Sequence, residues 1–248
     1  MNKKFLFLMG FVIMSITING QTQRIDSTAA FILHRTEVTL QDIKSCSFTA
    51  VTTYDVPNES LGLIKHAITD KVAIKFPDKM KVTSAGDKGN RGLWYDGKKL
   101  NYYSFDNNTY GFTNAPGSVI ETIDEASKKF GIEFPGADFF YPTFLQDLLS
   151  EQGNLIFLGT TIVDGRECFH IAGNDKTKSF QFWIGIDNLF LPVKMVIIYT
   201  LDKDKPQYEA LYKDWTINND YPDSMFEFTT PPKASKVKIL PREIKKQS

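Results

Sequence analysis

Three histidines, two cysteines and 29 carboxylates are the groups in this 248-residue chain best able to do chemistry. Their spacing assembles no familiar catalytic or metal site. His34, His66 and His170 lie in three distant segments, and no pair has the spacing of a helical zinc site. Cys46 and Cys168 are too far apart to form a local zinc knuckle. Cys168-Phe169-His170 puts a thiol and an imidazole on one face of a strand, which suffices to seed a metal or thiol site. A packed cysteine beside a hydrogen-bonded histidine is the favoured reading. Gly86-x-x-Gly89-x-x-Gly92 has no following Lys-Ser/Thr and is not a phosphate loop. Asn58-Glu59-Ser60-Leu61-Gly62 lacks the first glycine of a nucleophile elbow. Asn58-Glu59-Ser60 and Asn107-Asn108-Thr109 match glycosylation acceptors and equally match turns, the simpler explanation. The carboxylates show no pairing for acid–base work. These patterns call for no cofactor, no metal and no catalytic residue.

The chemistry left is burial. The chain has 20 Phe, 10 Tyr and 3 Trp, and Trp94, Trp183 and Trp215 all fall in expected strands. Such residues fill a core or line a cup. An apolar cup holds an acyl chain without any specific polar partner, because each buried CH₂ contributes about 0.8 kcal/mol.

Two runs of hairpins supply that sheet, at about 42–116 and 154–230, with roughly ten or eleven strands. Asp96-Gly97 and Asp164-Gly165 mark tight hairpin turns in which both central residues take positive φ. A first helix starts at Asp26 or Ser27, with Ala30, Leu33 and Val38 among its apolar positions. Between the runs lies a helical insert, Ser118–Glu151. Ile120, Ile123, Ala126 and Phe130 fall at helical spacing, with Glu121, Asp124, Lys128 and Lys129 opposite. Gly131 ends that helix, and Pro142 suits the start of a second, whose apolar face is Phe140, Phe144, Leu145, Leu148 and Leu149. The insert reads either as core packing or as a movable lid.

Lys3 and Lys4 precede the apolar run Phe5–Ile18, and Asn19-Gly20 offers a cut, so residues 1–20 read as a cleaved secretion signal. Residues 21–232 form one expected domain with a net charge near −7, which excludes a nucleic-acid binder. Residues 233–248 form a basic tail with six basic groups and Glu243. The tail reads as a solvated end, with transient contact to anionic membrane as the alternative. Export makes a Cys46–Cys168 bridge chemically permissible, but two buried thiols are the favoured state.

Leu93-Trp94-Tyr95-Asp96-Gly97-Lys98-Lys99-Leu100 resembles a segment of the DUF2092 family of predicted periplasmic proteins. Ala115-Pro116-Gly117, Ile132-Glu133-Phe134-Pro135, Val163-Asp164-Gly165 through Cys168-Phe169-His170, and Gln181-Phe182-Trp183-Ile184 are similar too. So are Leu191-Pro192 and Phe226-Glu227-Phe228 before Pro231-Pro232, and their order spans about 26–238. Ser179-Phe180 stands where the family often has Asp-Trp, so no role for that acid carries over. The resemblance implies an α+β fold like the lipoprotein carriers LolA and LolB: an incomplete antiparallel barrel closed by helices. The expected function is a periplasmic binding protein, not an enzyme, for acyl chains of lipid or lipoprotein. The alternative is a self-filled adaptor of an envelope complex with a protein partner. The expected cavity and lid residues are Trp94, Ile120, Ile123, Phe140, Phe144, Leu145, Leu148, Phe182 and Trp183. Only one of Phe182 and Trp183 can face inward.

Overall fold

The computed structural model describes residues 24–134, 136–150 and 153–242. The secretion signal with its cut near Gly20, and Glu243, Lys245 and Lys246 of the basic tail, lie outside the described residues. Helix α1 (Ser27–Asp42) begins where the Asp26 carboxylate accepts the Thr28 and Ala29 N–H groups at 2.8 and 3.3 Å. It buries Ala29, Ile32, Leu33, Thr36 and Leu40, one stripe at helical spacing. Ala30 and Val38, expected on that stripe, are only half-buried.

Six strands then form an antiparallel meander: β1 (Ser45–Asn58), β2 (Gly62–Lys75), β3 (Lys79–Gly86), β4 (Arg91–Tyr95), β5 (Lys99–Ser104) and β6 (Thr109–Asn114). A second meander follows the insert: β7 (Asn154–Val163), β8 (Arg166–Asn174), β9 (Lys178–Gly185), β10 (Pro192–Tyr199) and β11 (Gln207–Ile217). β1 pairs with β11, which joins the two meanders into one open, curved sheet. A twelfth strand, β12 (Ser235–Lys236), adds in parallel to β6 and makes the far edge.

That last strand corrects the reading of the tail. Ser235 N–H donates to Asn108 O at 3.0 Å, Val237 N–H to Tyr110 O at 2.7 Å, and Arg242 N–H to Lys129 O at 2.7 Å. The side chains of Lys233, Lys236, Lys238 and Arg242 remain exposed while the backbone is tied down. Hydrophobic patterning does not reveal a strand held by its backbone.

The two Asp-Gly hairpins also differ. Asp164 has φ 50° and Gly165 φ 76°, as expected. At Asp96-Gly97 only the glycine is positive. The Asp96 carboxylate there accepts the Lys98 and Lys99 N–H groups at 2.9 and 2.8 Å, so the turn is closed by a side chain and the aspartate keeps a negative φ.

Alternation sets the two faces of the sheet. Across β2–β5, Ile74, Met80, Tyr95 and Leu100 line up in register and are all nearly sealed from solvent. The insert lies over this inward face. Helix α2 (Val119–Phe130) opens on Ser118 as its N-cap: Glu121 N–H donates to Ser118 Oγ at 3.2 Å, and Ser118 Oγ–H to Glu121 Oε2 at 2.8 Å. It closes at Gly131. A 3₁₀ turn (Ala137–Phe140) and the short helix α3 (Phe144–Ser150) complete the cover. Among the described residues, no helix is long and apolar enough to cross a membrane.

Candidate ligand cavity

Two adjoining cavities separate the sheet from its helical cover. The larger, about 800 Å³, lies between α2 with its following segment and strands β1, β2, β4, β5, β10 and β11. The smaller, about 480 Å³, is walled by α3, the 3₁₀ turn, β9 and β10. They share Asp138, Tyr141, Met195 and Ile197. Both volumes fall in the range of small-molecule sites.

Of the nine expected cavity and lid residues, Ile123 lines the larger cavity, and Phe144, Leu148 and Phe182 line the smaller. Phe182 is 2 % exposed and packs on Phe139, Phe144 and Phe180. Trp183, the next residue, therefore points to the other face, where it stacks on His170 at 4.3 Å beneath Lys194. Trp94 is also corrected to the outer face. Its neighbour Leu93 turns into the cavity, while Trp94 packs on Phe105 and Phe228. Phe140 is core, wedged against Phe48 and Phe76. Ile120 and Leu145 are half-buried packing residues off both cavity walls.

The local-chemistry candidates resolve as structural. His170 Nε2 bonds Gln181 Oε1 at 3.0 Å, and both it and Cys168 lie on the outer face. The two cysteines are free and fully buried, with Cys46 facing the core. Asn58 Oδ1 accepts the Ser60 and Leu61 N–H groups, so that acceptor-like triplet is a turn. Among the described residues, no cluster of His, Cys, Asp and Glu could hold a metal ion.

The sequence reading missed the polar half of the larger cavity. Asp70 is 5 % exposed, and Ser84 Oγ–H donates to it at 2.5 Å. Burial raises its carboxyl above the ordinary range; the Ser84 bond and Arg91 partly offset this. Asp55 is already paired with Lys65 at 2.8 Å, and Asp124 accepts the Tyr141 hydroxyl at 2.5 Å. Asp138 stands where the cavities meet. It is exposed and lines both; the protein around it raises its carboxyl by desolvation, with Lys178 pulling the other way.

Tyrosines surround it. Tyr141, Tyr199 and Tyr208 line the larger cavity, and the buried Tyr212 lies just behind Gly136. Desolvation pushes the Tyr208 phenol up to about 12; the nearby Thr52 hydroxyl pulls it down, and Asp70, Asp138 and Glu133 add to the rise. Burial raises the Tyr212 phenol as well. Gly136 has φ 69°, and a Cβ there would sit 3.0 Å from the Tyr212 ring. Two hydroxyls in this region, Thr52 Oγ1 and Tyr212 OH, are buried without a hydrogen-bond partner. The strand pattern held one usable signal: Tyr208-x-Ala210-x-Tyr212 places both tyrosines on one face.

A comparison with curated proteins found no match. Among solved structures, the chain is similar to an uncharacterized conserved protein of Thermus thermophilus, at TM-score 0.47 and 12 % identity over 85 % of this chain and 99 % of that one. It is similar to the Mycobacterium tuberculosis lipoprotein LppX at TM-score 0.47 and 16 % identity, over 79 % of this chain and 100 % of that one. A LolA superfamily protein of Nitrosomonas europaea aligns at TM-score 0.38 and 9 % identity, over 81 % and 97 %. The family model described as a predicted periplasmic protein matches residues 29–240, and the chain belongs to this periplasmic family, DUF2092.

Proposed function

We propose that this protein binds the acyl chains of a lipid or lipoprotein between its sheet and its helical insert. The observation that carries the reading is the pair of adjoining cavities on the inward face, about 800 and 480 Å³. The smaller has a wall suited to a hydrocarbon chain: Phe144, Leu148, Phe180, Phe182, Met195 and Ile197. A chain of 14–16 carbons would gain about 11–13 kcal/mol from burial, before the costs of association. Helix α3 places Phe144 and Leu148 on that wall, which suits it to gate entry. The polar groups favour binding over catalysis, since Asp55, Asp70 and Asp124 are each already held by a neighbour.

A second reading is an envelope adaptor with a self-filled core. The aromatic contacts among Phe48, Phe139, Phe140, Phe144, Phe182 and Tyr212 favour it. Native mass spectrometry of the exported mature protein, with lipid extraction, decides. A stoichiometric acyl species released on unfolding supports the carrier. A clean apo mass that takes up neither fatty acids nor phospholipids sinks it and leaves the adaptor.

A further inference from the structure

The far edge of the sheet, β6 with β12, gathers cations around exposed apolar groups. Phe112 on β6 is 38 % exposed, and two ammonium groups lie over its ring, Lys99 at 4.9 Å and Lys236 at 4.5 Å. Lys238 follows on the same segment, where Val237 and Leu240 are 40 % and 68 % exposed. Lys129, at the neighbouring end of α2, is paired with Glu125 at 2.6 Å. Among the described residues, Lys99, Lys236 and Lys238 have no ion pair. Like charges gathered on one exposed ring repel, and an anionic surface laid against them offsets that cost.

The cluster is held in place before any partner arrives. Ser235 and Val237 donate their backbone N–H groups to Asn108 and Tyr110. Gly111 leaves room for the segment to cross: a Cβ there would sit 2.8 Å from Ile239 Cγ1 and 2.9 Å from Val237 O. A surface ordered in advance loses little freedom on docking. The segment then reaches the cavity rim. Arg242 N–H donates to Lys129 O, and its side chain lies against Gly131, which lines the larger cavity together with Lys128.

The charge is also one-sided. Residues 21–232 carry a net charge near −7, against six basic groups and one acid in residues 233–248. An anionic surface repels that body and attracts this edge, which fixes the orientation of approach. Lysines interleaved with exposed apolar side chains suit the interface of an anionic bilayer, where headgroups take the charges and the apolar groups lie among them.

Resting on the acyl-chain reading for its role, we infer that the β6–β12 edge docks on an anionic lipid bilayer and brings the rim of the larger cavity to the lipid. Sedimentation of the exported mature protein with vesicles tests this. The probes are vesicles of phosphatidylcholine alone and of phosphatidylcholine with about 30 % phosphatidylglycerol. Binding to the anionic vesicles should be about tenfold tighter or more, and should fade as salt rises. Lys99→Gln with Lys236→Gln should weaken it by about tenfold or more, at about fivefold per lysine. Lys176→Gln with Lys203→Gln removes the same charge from the exposed turns β8–β9 and β10–β11, and should change binding by less than about twofold. Binding to neither vesicle, equal binding to both, or the same loss from both pairs of substitutions overturns the docking edge. The acyl-chain reading is decided separately, by the mass of the extracted protein.

Discussion

Phe144→Asp separates a gate from a fixed core. Phe144 begins α3, is 6 % exposed, and packs on Phe139 at 5.1 Å and on Phe182 at 5.8 Å between ring centres. Were α3 immobile, the substitution would carry the full core penalty. Losing a buried phenylalanine costs about 3–5 kcal/mol, and burying an unpaired carboxylate adds several more. A fold with about 5–15 kcal/mol of stability would scarcely survive this. However, α3 has only seven residues and cannot hold itself as a helix in water. Its packing alone keeps it on the sheet, so it can leave while the sheet persists. The cost is then capped near the burial free energy of the side chain that anchors it, about 1.5–3 kcal/mol. For a domain of this size that is a fall in melting temperature of about 10 °C at most. Ligand retention after buffer exchange, read by native mass spectrometry, should fall at least tenfold (~1.4 kcal/mol). Global unfolding, or retention that falls only in step with the unfolded fraction, would refute the gate.

Three further outcomes are expected. Burial raises Asp138 above its ordinary value of 3.8, so its favourable contribution is full below that pH and is lost as pH rises through the raised value. In the ligand-free protein, the urea midpoint of Asp138→Asn should therefore gain on wild type from about pH 4 to 7; a gap that stays constant with pH counts against it. Gly136→Ala, with its φ of 69° and a new Cβ 3.0 Å from Tyr212, should cost about 1–3 kcal/mol in denaturant melts. A loss under about 0.5 kcal/mol would mean the segment lifts easily from Tyr212. Cys46 and Cys168 are fully buried, and burial pushes the Cys46 thiol up to about 12. Neither should react with a thiol reagent until the protein unfolds, and rapid labelling of the native state would contradict that burial.

The parts of the fold that local chemistry dictates were readable from the residues. Gly131 closes α2 as expected, because a left-handed terminus is made by neighbours in sequence. The hairpins were legible for the same reason. The pairing of β1 with β11 was not, because Cys46 and Ile217 meet through a register that no local signal encodes. Face assignment was the other gap. Alternation shows that Leu93 and Trp94 point oppositely, yet not which of them turns inward, and a large aromatic is an equally good occupant of either side. Trp94 and Trp183 were misplaced on that account. Asp138 was invisible for a different reason: one acid in a short apolar turn has the same pattern as any surface residue, and only the fold shows that it lines both cavities.

The unpaired hydroxyls bear on whether this cavity is meant to be filled. A self-filled adaptor core gains nothing from Thr52 and Tyr212. Valine and phenylalanine would occupy nearly the same volume without a buried polar atom, and each unsatisfied group costs about 1–3 kcal/mol. The two sit on neighbouring strands, and Thr52 lines the larger cavity. Two buried hydroxyls without partners on one face of the sheet are difficult to explain as packing, whose energetic optimum is apolar and dense. They are readily explained if the empty protein is only half of the structure that functions. On this argument the aromatic floor around Phe139 and Phe182 gives the fold its stability, and the polar wall above it is left incomplete for a ligand to finish.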